Sequence, residues 1–156
     1  MTIRDWLDFA LSFARKRSGC NKVAVGSVII KDNRAIAVGA NRAIPDYCKT
    51  SRGCLRMEKY GNDSKVHRDP SDCRAIHSEV DAICSAACNG ASINGATICV
   101  TRYPCESCAK AIVASGIAQV YYGGTADISE QTRLIFDIAG INVYKVEDWL
   151  EDNTDR

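Results

Sequence analysis

The chain has 156 residues, 46% of them hydrophobic and 25% charged, an ordinary globular composition that predicts one domain with a buried core. Its 20 basic and 19 acidic residues give a formal net charge of +1, so no basic field predicts a nucleic-acid partner. No stretch reaches membrane-spanning length and no secretion signal opens the chain, which predicts a cytoplasmic protein without membrane contact whose nine cysteines are thiols or metal ligands.

The first half of the chain predicts one helix and one β-hairpin. The elements expected are a helix over 2–17, strands over 23–31 and 34–40, and an irregular segment over 42–76. Thr2 with Asp5 three residues later resembles a capping box, and Asp32-Asn33 is typical of a hairpin turn. The segment 42–76 is polar and aperiodic, and segments of this length are usually functional or disordered.

The second half predicts helices and strands in alternation. The helices are expected from His77 to the Asn89-Gly90 stop, over 105–115 and over 128–139, and the strands over 96–102, 117–123 and 141–146. Such alternation implies parallel crossovers, while the opening hairpin makes the sheet mixed. The predicted fold is therefore an α/β domain over 1–156 with three layers, α/β/α, and a mixed five-stranded sheet. A short acidic segment, helical through Trp149 and Leu150, is expected to close the chain.

Two short stretches carry the chemistry, His77-Ser78-Glu79 and Pro104-Cys105-Glu106-Ser107-Cys108. Zinc binds imidazole nitrogen and thiolate sulfur in a tetrahedron, and a catalytic zinc keeps its fourth position for water. Both stretches are expected at helix N-termini, whose positive dipole end favours thiolates. We therefore predict a catalytic zinc on His77, Cys105 and Cys108. Glu79 beside it is the predicted proton carrier.

The remaining cysteines of the regular elements have a simpler interpretation. Cys84 and Cys88 lie one turn apart on the helix that begins at His77. Free cysteine is commonly buried, so both are expected to be small core residues rather than ligands. For the catalytic motif itself, the alternative is a closed structural zinc site or a group of buried thiols, but a fourth ligand is missing.

The ordered pair of motifs is the signature of zinc-dependent nucleobase deaminases, and nearly the whole chain resembles the deoxycytidylate (dCMP) deaminases of the cytidine deaminase-like superfamily. The other matching pieces are Val25-Gly26-Ser27-Val28-Ile29, Gly39-Ala40-Asn41, Cys73-Arg74-Ala75-Ile76, Asn94-Gly95-Ala96-Thr97 and Thr101-Arg102-Tyr103. The resemblance implies a mixed five-stranded sheet, the zinc ligands and proton shuttle named above, and Asn41 at the sugar. It also implies hydrolytic deamination of dCMP to dUMP for dTMP supply, a homo-oligomer such as a hexamer, and dCTP and dTTP as effectors.

The chain departs from the family pattern at two positions near the motif. Arg42 stands where the family usually has glycine, and Asp81 where asparagine is common. Because no basic field exists, a substrate phosphate has to be bound by a few placed donors, and arginine is the usual choice. Arg42 and Arg102 lie in segments expected to border the site and are the predicted phosphate ligands.

A second, structural zinc is predicted from ligand-type residues outside the catalytic motif. These are Cys20, Cys48, Cys54, His67 and Cys73. A polar segment such as 42–76 buries too little apolar surface to order itself, and a metal can supply the missing free energy. In some relatives a second zinc is bound by counterparts of Cys20, Cys48 and His67 and by a carboxylate at the position of Ala75. Cys73 is the predicted substitute, with Cys54 in reserve; the alternative is ordinary thiols.

Two other functions compete with dCMP deamination. One is the same chemistry on another cytosine nucleotide, a nucleoside, a free base or tRNA adenosine; near-neutral charge disfavours a nucleic-acid substrate. The other is a non-catalytic, zinc-stabilised nucleotide-binding module. Glu79 disfavours it, because a closed structural site has no use for a proton shuttle.

Overall fold

The computed structural model describes residues 1–20, 23–44, 54–60, 73–124 and 128–149. The elements are α1 (Ile3–Arg17), β1 (Gly26–Lys31), β2 (Arg34–Ala40), α2 (Leu55–Tyr60), α3 (Ser78–Cys88), β3 (Thr97–Val100), α4 (Glu106–Ala114), β4 (Gln119–Tyr122), α5 (Glu130–Ala139) and β5 (Asn142–Lys145). Within these ranges, no helix has the length and apolar character that a membrane span requires.

The five strands form one mixed sheet in the order β2-β1-β3-β4-β5. β1 runs antiparallel to β2 and β3, while β4 and β5 continue parallel to β3. The hairpin turns at Asp32 and Asn33, whose φ angles of 52° and 55° are those of a type I′ turn that matches the twist of two paired strands. The predicted mixed five-stranded sheet is confirmed.

Helices cover both faces of the sheet, because alternate strand residues point to opposite sides. On one face, Val28, Ile30 and Cys99 pack with the apolar stripe of α1. The other face is covered by α3, α4 and α5. Its core contains Ile29, Ala37, Ala82, Ala86, Ile98, Val100, Ala109, Ile112, Val120 and Phe136. This is the predicted three-layer α/β/α architecture.

Capping residues set the start of α1 and the end of α5. At the start of α1, the Thr2 amide donates to Asp5 Oδ2 at 2.7 Å and the Asp5 amide donates to Thr2 Oγ1 at 3.2 Å, which confirms the capping box. α5 ends at Gly140, whose φ of 68° is the left-handed conformation favoured by glycine at a helix C-terminus.

Two sequence predictions of secondary structure are wrong. The segment 42–76 contains the helix α2, whose six residues make fewer than two turns and so show no hydrophobic period. The segment after β5 forms a turn at Glu147 and Asp148 instead of a helix. Trp149 then packs against the α1 side of the sheet, and its Nε1 donates to Asp8 Oδ1 at 2.8 Å. Leu150 lies outside the described residues.

Cys84 and Cys88 are exposed, so their expected place in the core is also wrong. The buried residues of α3 are Ser78, Glu79, Ala82 and Ala86. Cys84 follows Ala82 by two positions, which is about 200° around a helix. The sequence of α3 is rich in small residues on every side, and composition alone therefore does not tell which face is buried.

A backbone bridge joins the two ends of the segment between β2 and α3. The Arg42 amide donates to the Ile76 carbonyl at 2.9 Å, and the Ile76 amide donates to the Arg42 carbonyl at 2.8 Å. This antiparallel bridge sets the start of α3 beside the end of β2, which brings His77 next to the edge of the sheet.

Candidate functional site

Two helix N-termini meet at the candidate site. His77 is the N-cap of α3 and Cys105 is the N-cap of α4, and both have extended backbones. An N-cap side chain usually accepts a hydrogen bond from its own helix, but neither of these does so. The two side chains point at each other instead, and Cys108 joins them from the first turn of α4.

The geometry of the three donors fits zinc. Nδ1 of His77 lies 3.4 Å from the sulfur of Cys105 and 3.4 Å from the sulfur of Cys108, and all three ligand atoms lie within 4.8 Å of one another. A tetrahedral zinc with ordinary Zn–N and Zn–S bonds separates such nitrogen and sulfur atoms by about 3.5 Å. The residues therefore suit a zinc ion with three protein ligands.

The three donors also shift one another's pKa values. Hydrogen bonding with Cys108, and then with His77, lowers the pKa of the Cys105 thiol to about 4. The hydrogen bond to Cys105 raises the pKa of His77 to about 10, while the same neighbour raises the pKa of Cys108. These pKa values favour a thiolate on Cys105 beside a protonated His77. Zinc binds thiolates and neutral imidazole, so a bound ion would displace protons from His77 and Cys108.

Glu79 is buried beside this cluster. Its side chain is 4% exposed, and burial raises its pKa above the ordinary value, as suits a carboxyl group that has to take up and release a proton near neutrality. The Ser78 hydroxyl donates to Glu79 Oε2 at 3.1 Å, and the Ser27 hydroxyl lies 2.7 Å from the Ser78 oxygen. Ser78 therefore orients the carboxylate through a hydrogen bond, and Ser27 orients Ser78 in turn.

His77, Cys105 and Glu79 line one cavity, while Cys108 is buried behind them. Among its lining residues are Val25, Asn41, Arg56, Cys73, His77, Glu79, Arg102, Tyr103 and Cys105. Asn41 is buried, and its Oδ1 accepts from the Ser18 hydroxyl and the Val25 amide while its Nδ2 donates to the Val23 carbonyl. An amide nitrogen has two hydrogens, and among the described residues only one acceptor for Asn41 Nδ2 is found, so its second hydrogen can bind a ligand.

The two predicted phosphate ligands lie in different places. Arg102 lines the cavity with the catalytic cluster. Arg42 does not: its guanidinium lies 2.6 Å from Asp81 Oδ1, and it lines a separate cavity between α1 and α3. Asp81 Oδ2 also accepts from the Ala40 amide at 3.0 Å. The two departures from the family pattern thus form one ion pair, which joins the end of β2 to α3.

The residues predicted for a second metal are only partly described. Cys20, Cys54 and Cys73 line the same cavity, whereas Cys48 and His67 lie outside the described residues. Within the described ranges, the catalytic cluster is the sole group of three close metal-ligand side chains. Cys73 lies against His77, and its hydrogen bond to that ring lowers the pKa of the Cys73 thiol. The second site stays a prediction.

Sequence reasoning missed two features of the cavity wall. Arg56 comes from α2, a helix too short to have shown a periodic signal. Ser27 bonds Ser78, which bonds Glu79. This contact depends on the packing of α3 against β1, which the sequence around Ser27 does not show. The one signal available was the small polar residue Ser78 inside the motif itself.

Comparison with known proteins identifies the family. Residues 1–124 match the model described as "Cytidine and deoxycytidylate deaminase zinc-binding region". The chain is 35% identical over 133 residues to ComE operon protein 2 of Bacillus subtilis (strain 168), covering 84% of this chain and 64% of that protein. It is 33% identical over 126 residues to the deoxycytidylate deaminase of Mycobacterium phage D29, covering 78% of this chain and 97% of the phage protein.

A solved structure agrees with the fold. The dCMP deaminase from the cyanophage S-TIM5, in complex with dCMP and dUMP, superposes with a TM-score of 0.70 at 23% identity, covering 91% of this chain and 94% of that chain. The zinc-binding motif, the cluster of His77, Cys105 and Cys108 and these similarities together show that the chain belongs to the zinc-binding family of cytidine and deoxycytidylate deaminases.

Proposed function

We propose that this protein is a zinc-dependent hydrolase that deaminates dCMP to dUMP and releases ammonia, for dTMP supply. The observation that carries the proposal is the cluster of three zinc-type donors, two of which line one cavity with the buried carboxylate of Glu79. The similarity to phage D29 deoxycytidylate deaminase over nearly the whole length of that protein supports the choice of substrate. The S-TIM5 structure supports it through a shared fold.

The residues have separate roles in this reaction. His77, Cys105 and Cys108 would hold the zinc ion, which when bound activates water as a nucleophile at neutral pH. Glu79 takes one proton from the attacking water and delivers it to the ring nitrogen, then takes the second proton from the same oxygen and delivers it to the leaving amino group. One carboxylate can serve as base and then as acid because the two steps are sequential. The oxygen adds to C4 of the base, and the C4–N bond breaks to release ammonia.

The cavity wall would bind the rest of the substrate. Asn41 has one amide hydrogen left for the sugar, and Arg102 places a cation at the same cavity. Arg42 is held by Asp81, so among the two predicted phosphate ligands the proposal keeps Arg102. We further propose a cytoplasmic homo-oligomer, such as a hexamer, and dCTP and dTTP as effectors, on the strength of the family resemblance alone.

The substrate is tested by measuring ammonia release from dCMP, CMP, deoxycytidine and cytosine side by side, with a tRNA adenosine substrate as a fifth arm. We expect the highest kcat/KM with dCMP. Equal rates with dCMP and deoxycytidine would instead indicate a nucleoside deaminase, and activity on tRNA alone would indicate an adenosine deaminase. If zinc-loaded protein releases no ammonia in any arm, the deaminase proposal fails and the non-catalytic nucleotide-binding module is the remaining function.

A second, structural zinc is proposed for the insert at about 42–76 of the 1–156 domain. The ligands proposed are Cys20, Cys48, His67 and Cys73, with Cys54 in reserve. Cys20, Cys54 and Cys73 line one cavity, which supports their being near one another. A metal would also supply ordering free energy to a segment with few apolar residues.

Metal analysis of protein never exposed to chelator is expected to give two zinc ions per chain. Cys48→Ser is expected to lose one of them and to melt at a lower temperature, because a structural metal contributes folding free energy directly. The catalytic zinc stays, since its three ligands are untouched. Cys88→Ser, which changes an exposed thiol, is the matched control and keeps both ions. A wild-type count of one zinc per chain would refute the second site.

A further inference from the structure

The catalytic cavity has a wall with two cationic side chains and a single acid. Arg56 and Arg102 both line it, and Glu79 is the one carboxylate among its described lining residues. Glu79 is buried against the zinc-type cluster and is held by Ser78. Within the described part of the cavity, guanidinium groups therefore outnumber carboxylates. Such a wall suits a substrate that carries its own negative charge.

Arg56 has a guanidinium whose hydrogen bonding is incomplete. Its Nε is buried and has no hydrogen-bond partner among the described residues, and no ion pair within the described ranges includes Arg56. A buried guanidinium N–H without an acceptor costs free energy. That cost is recovered when a ligand brings an acceptor, and phosphate oxygens match the donor geometry of arginine especially well.

Arg56 lies on a different part of the chain from the zinc-type donors and Glu79. Its helix, α2, lies in the segment between the bridge residues Arg42 and Ile76. The zinc-type donors and Glu79 belong to α3 and α4, which pack on the sheet. Arg56 lines the cavity from the insert and the zinc-type donors line it from the starts of α3 and α4, so the two groups can contact different parts of one substrate.

We propose that Arg56 binds the 5′-phosphate of a pyrimidine nucleoside monophosphate in the catalytic cavity and so selects the nucleotide over the nucleoside. This inference rests on the proposed deaminase function and assigns the residue that sets its substrate class. Arg102 lines the same cavity and shares the anion. Arg42 has no part, since Asp81 holds it in a different cavity.

The test compares kcat/KM for dCMP and for deoxycytidine in the full-length, zinc-loaded wild type and in Arg56→Gln. We expect the dCMP value to fall about 10- to 100-fold, the usual effect of losing a hydrogen bond to a charged group. The deoxycytidine value should stay within about threefold, because that substrate has no phosphate to lose. Arg34→Gln, the same change at an exposed position on β2, is the matched control and leaves both values unchanged.

Further variants distinguish phosphate binding from a purely structural role of Arg56. Arg56→Lys keeps the charge but not the paired donors, so we expect an intermediate loss on dCMP alone. If Arg56→Gln loses zinc or melts at a lower temperature, the ratio of kcat/KM for dCMP to kcat/KM for deoxycytidine in Arg56→Lys tests phosphate binding instead. Equal losses on both substrates, an unchanged dCMP value, or a selective loss in Arg42→Gln would each overturn the role of Arg56 while leaving deamination established. A wild type inactive on every cytosine compound would overturn the proposed function and this inference together.

Discussion

Glu79→Gln is expected to lower kcat for dCMP by at least about two to four orders of magnitude, the usual contribution of a general acid–base group. The amide has nearly the shape of the carboxylate and can still accept the hydrogen bond from Ser78. It cannot take the proton from the attacking water. Rates measured under saturating dCMP, with zinc content and melting temperature determined on the same samples, separate lost chemistry from lost structure.

The matched control is Glu130→Gln, because Glu130, like Glu79, is an acid in the first turn of its helix but is exposed on α5. It should change neither kcat nor zinc content. A folded, zinc-loaded Glu79→Gln protein that deaminates dCMP at a near-normal rate would remove Glu79 from the mechanism. The donor cluster alone would then have to account for catalysis.

Gly39→Ala is expected to destabilise the protein strongly and to reduce its zinc content. Gly39 lies on β2 where α3 crosses it, and a Cβ there would overlap the Ser78 carbonyl oxygen and the Ala82 amide nitrogen. Backbone atoms cannot swing aside as a flexible side chain can, so α3 has to move, and overpacking of this kind costs about 1–3 kcal/mol or more. Because His77 is the N-cap of α3, a shift of that helix also moves one of the predicted zinc ligands.

Thermal unfolding and metal analysis on the same preparation measure both effects. Gly90→Ala is the control: its φ is 66° and, apart from its chain neighbours, no described atom lies within 4 Å of the added Cβ, so only the left-handed backbone cost of about 1–2 kcal/mol applies. Gly90→Ala should retain its zinc. An unchanged melting temperature and a full zinc content in Gly39→Ala would show that the contact between β2 and α3 is not tight.

The parts of the site that the sequence predicted are those in which neighbouring residues act together. His77 and Glu79 begin one helix, Cys105 and Cys108 begin another, and the chemistry of zinc requires the two beginnings to meet. The sheet was predictable for a similar reason, since the Asp32-Asn33 turn fixes the hairpin locally. In both cases a short stretch contains most of the information that decides the structure.

What the sequence did not predict depends on contacts between distant residues. Arg42 was predicted as a phosphate ligand, and its ion pair with Asp81 at 2.6 Å was not predicted, because the two residues lie 39 positions apart in the chain. Cys84 and Cys88 were expected inside, and only the packing of α3 on β2 shows which side of that helix faces water. Arg56 was not singled out, because its role follows from the cavity and not from its neighbours in sequence.

The backbone bridge between Arg42 and Ile76 has a consequence for how this domain can change in evolution. Because the two ends of the segment are already joined at its base, a longer or shorter segment changes the loop-closure entropy by only about 0.6 kcal/mol for each doubling of length. No strand has to shift its register, and the two helix N-termini keep their positions. The insert can thus change in length or composition, and with it one wall of the cavity, without displacing the zinc-type cluster at the starts of α3 and α4.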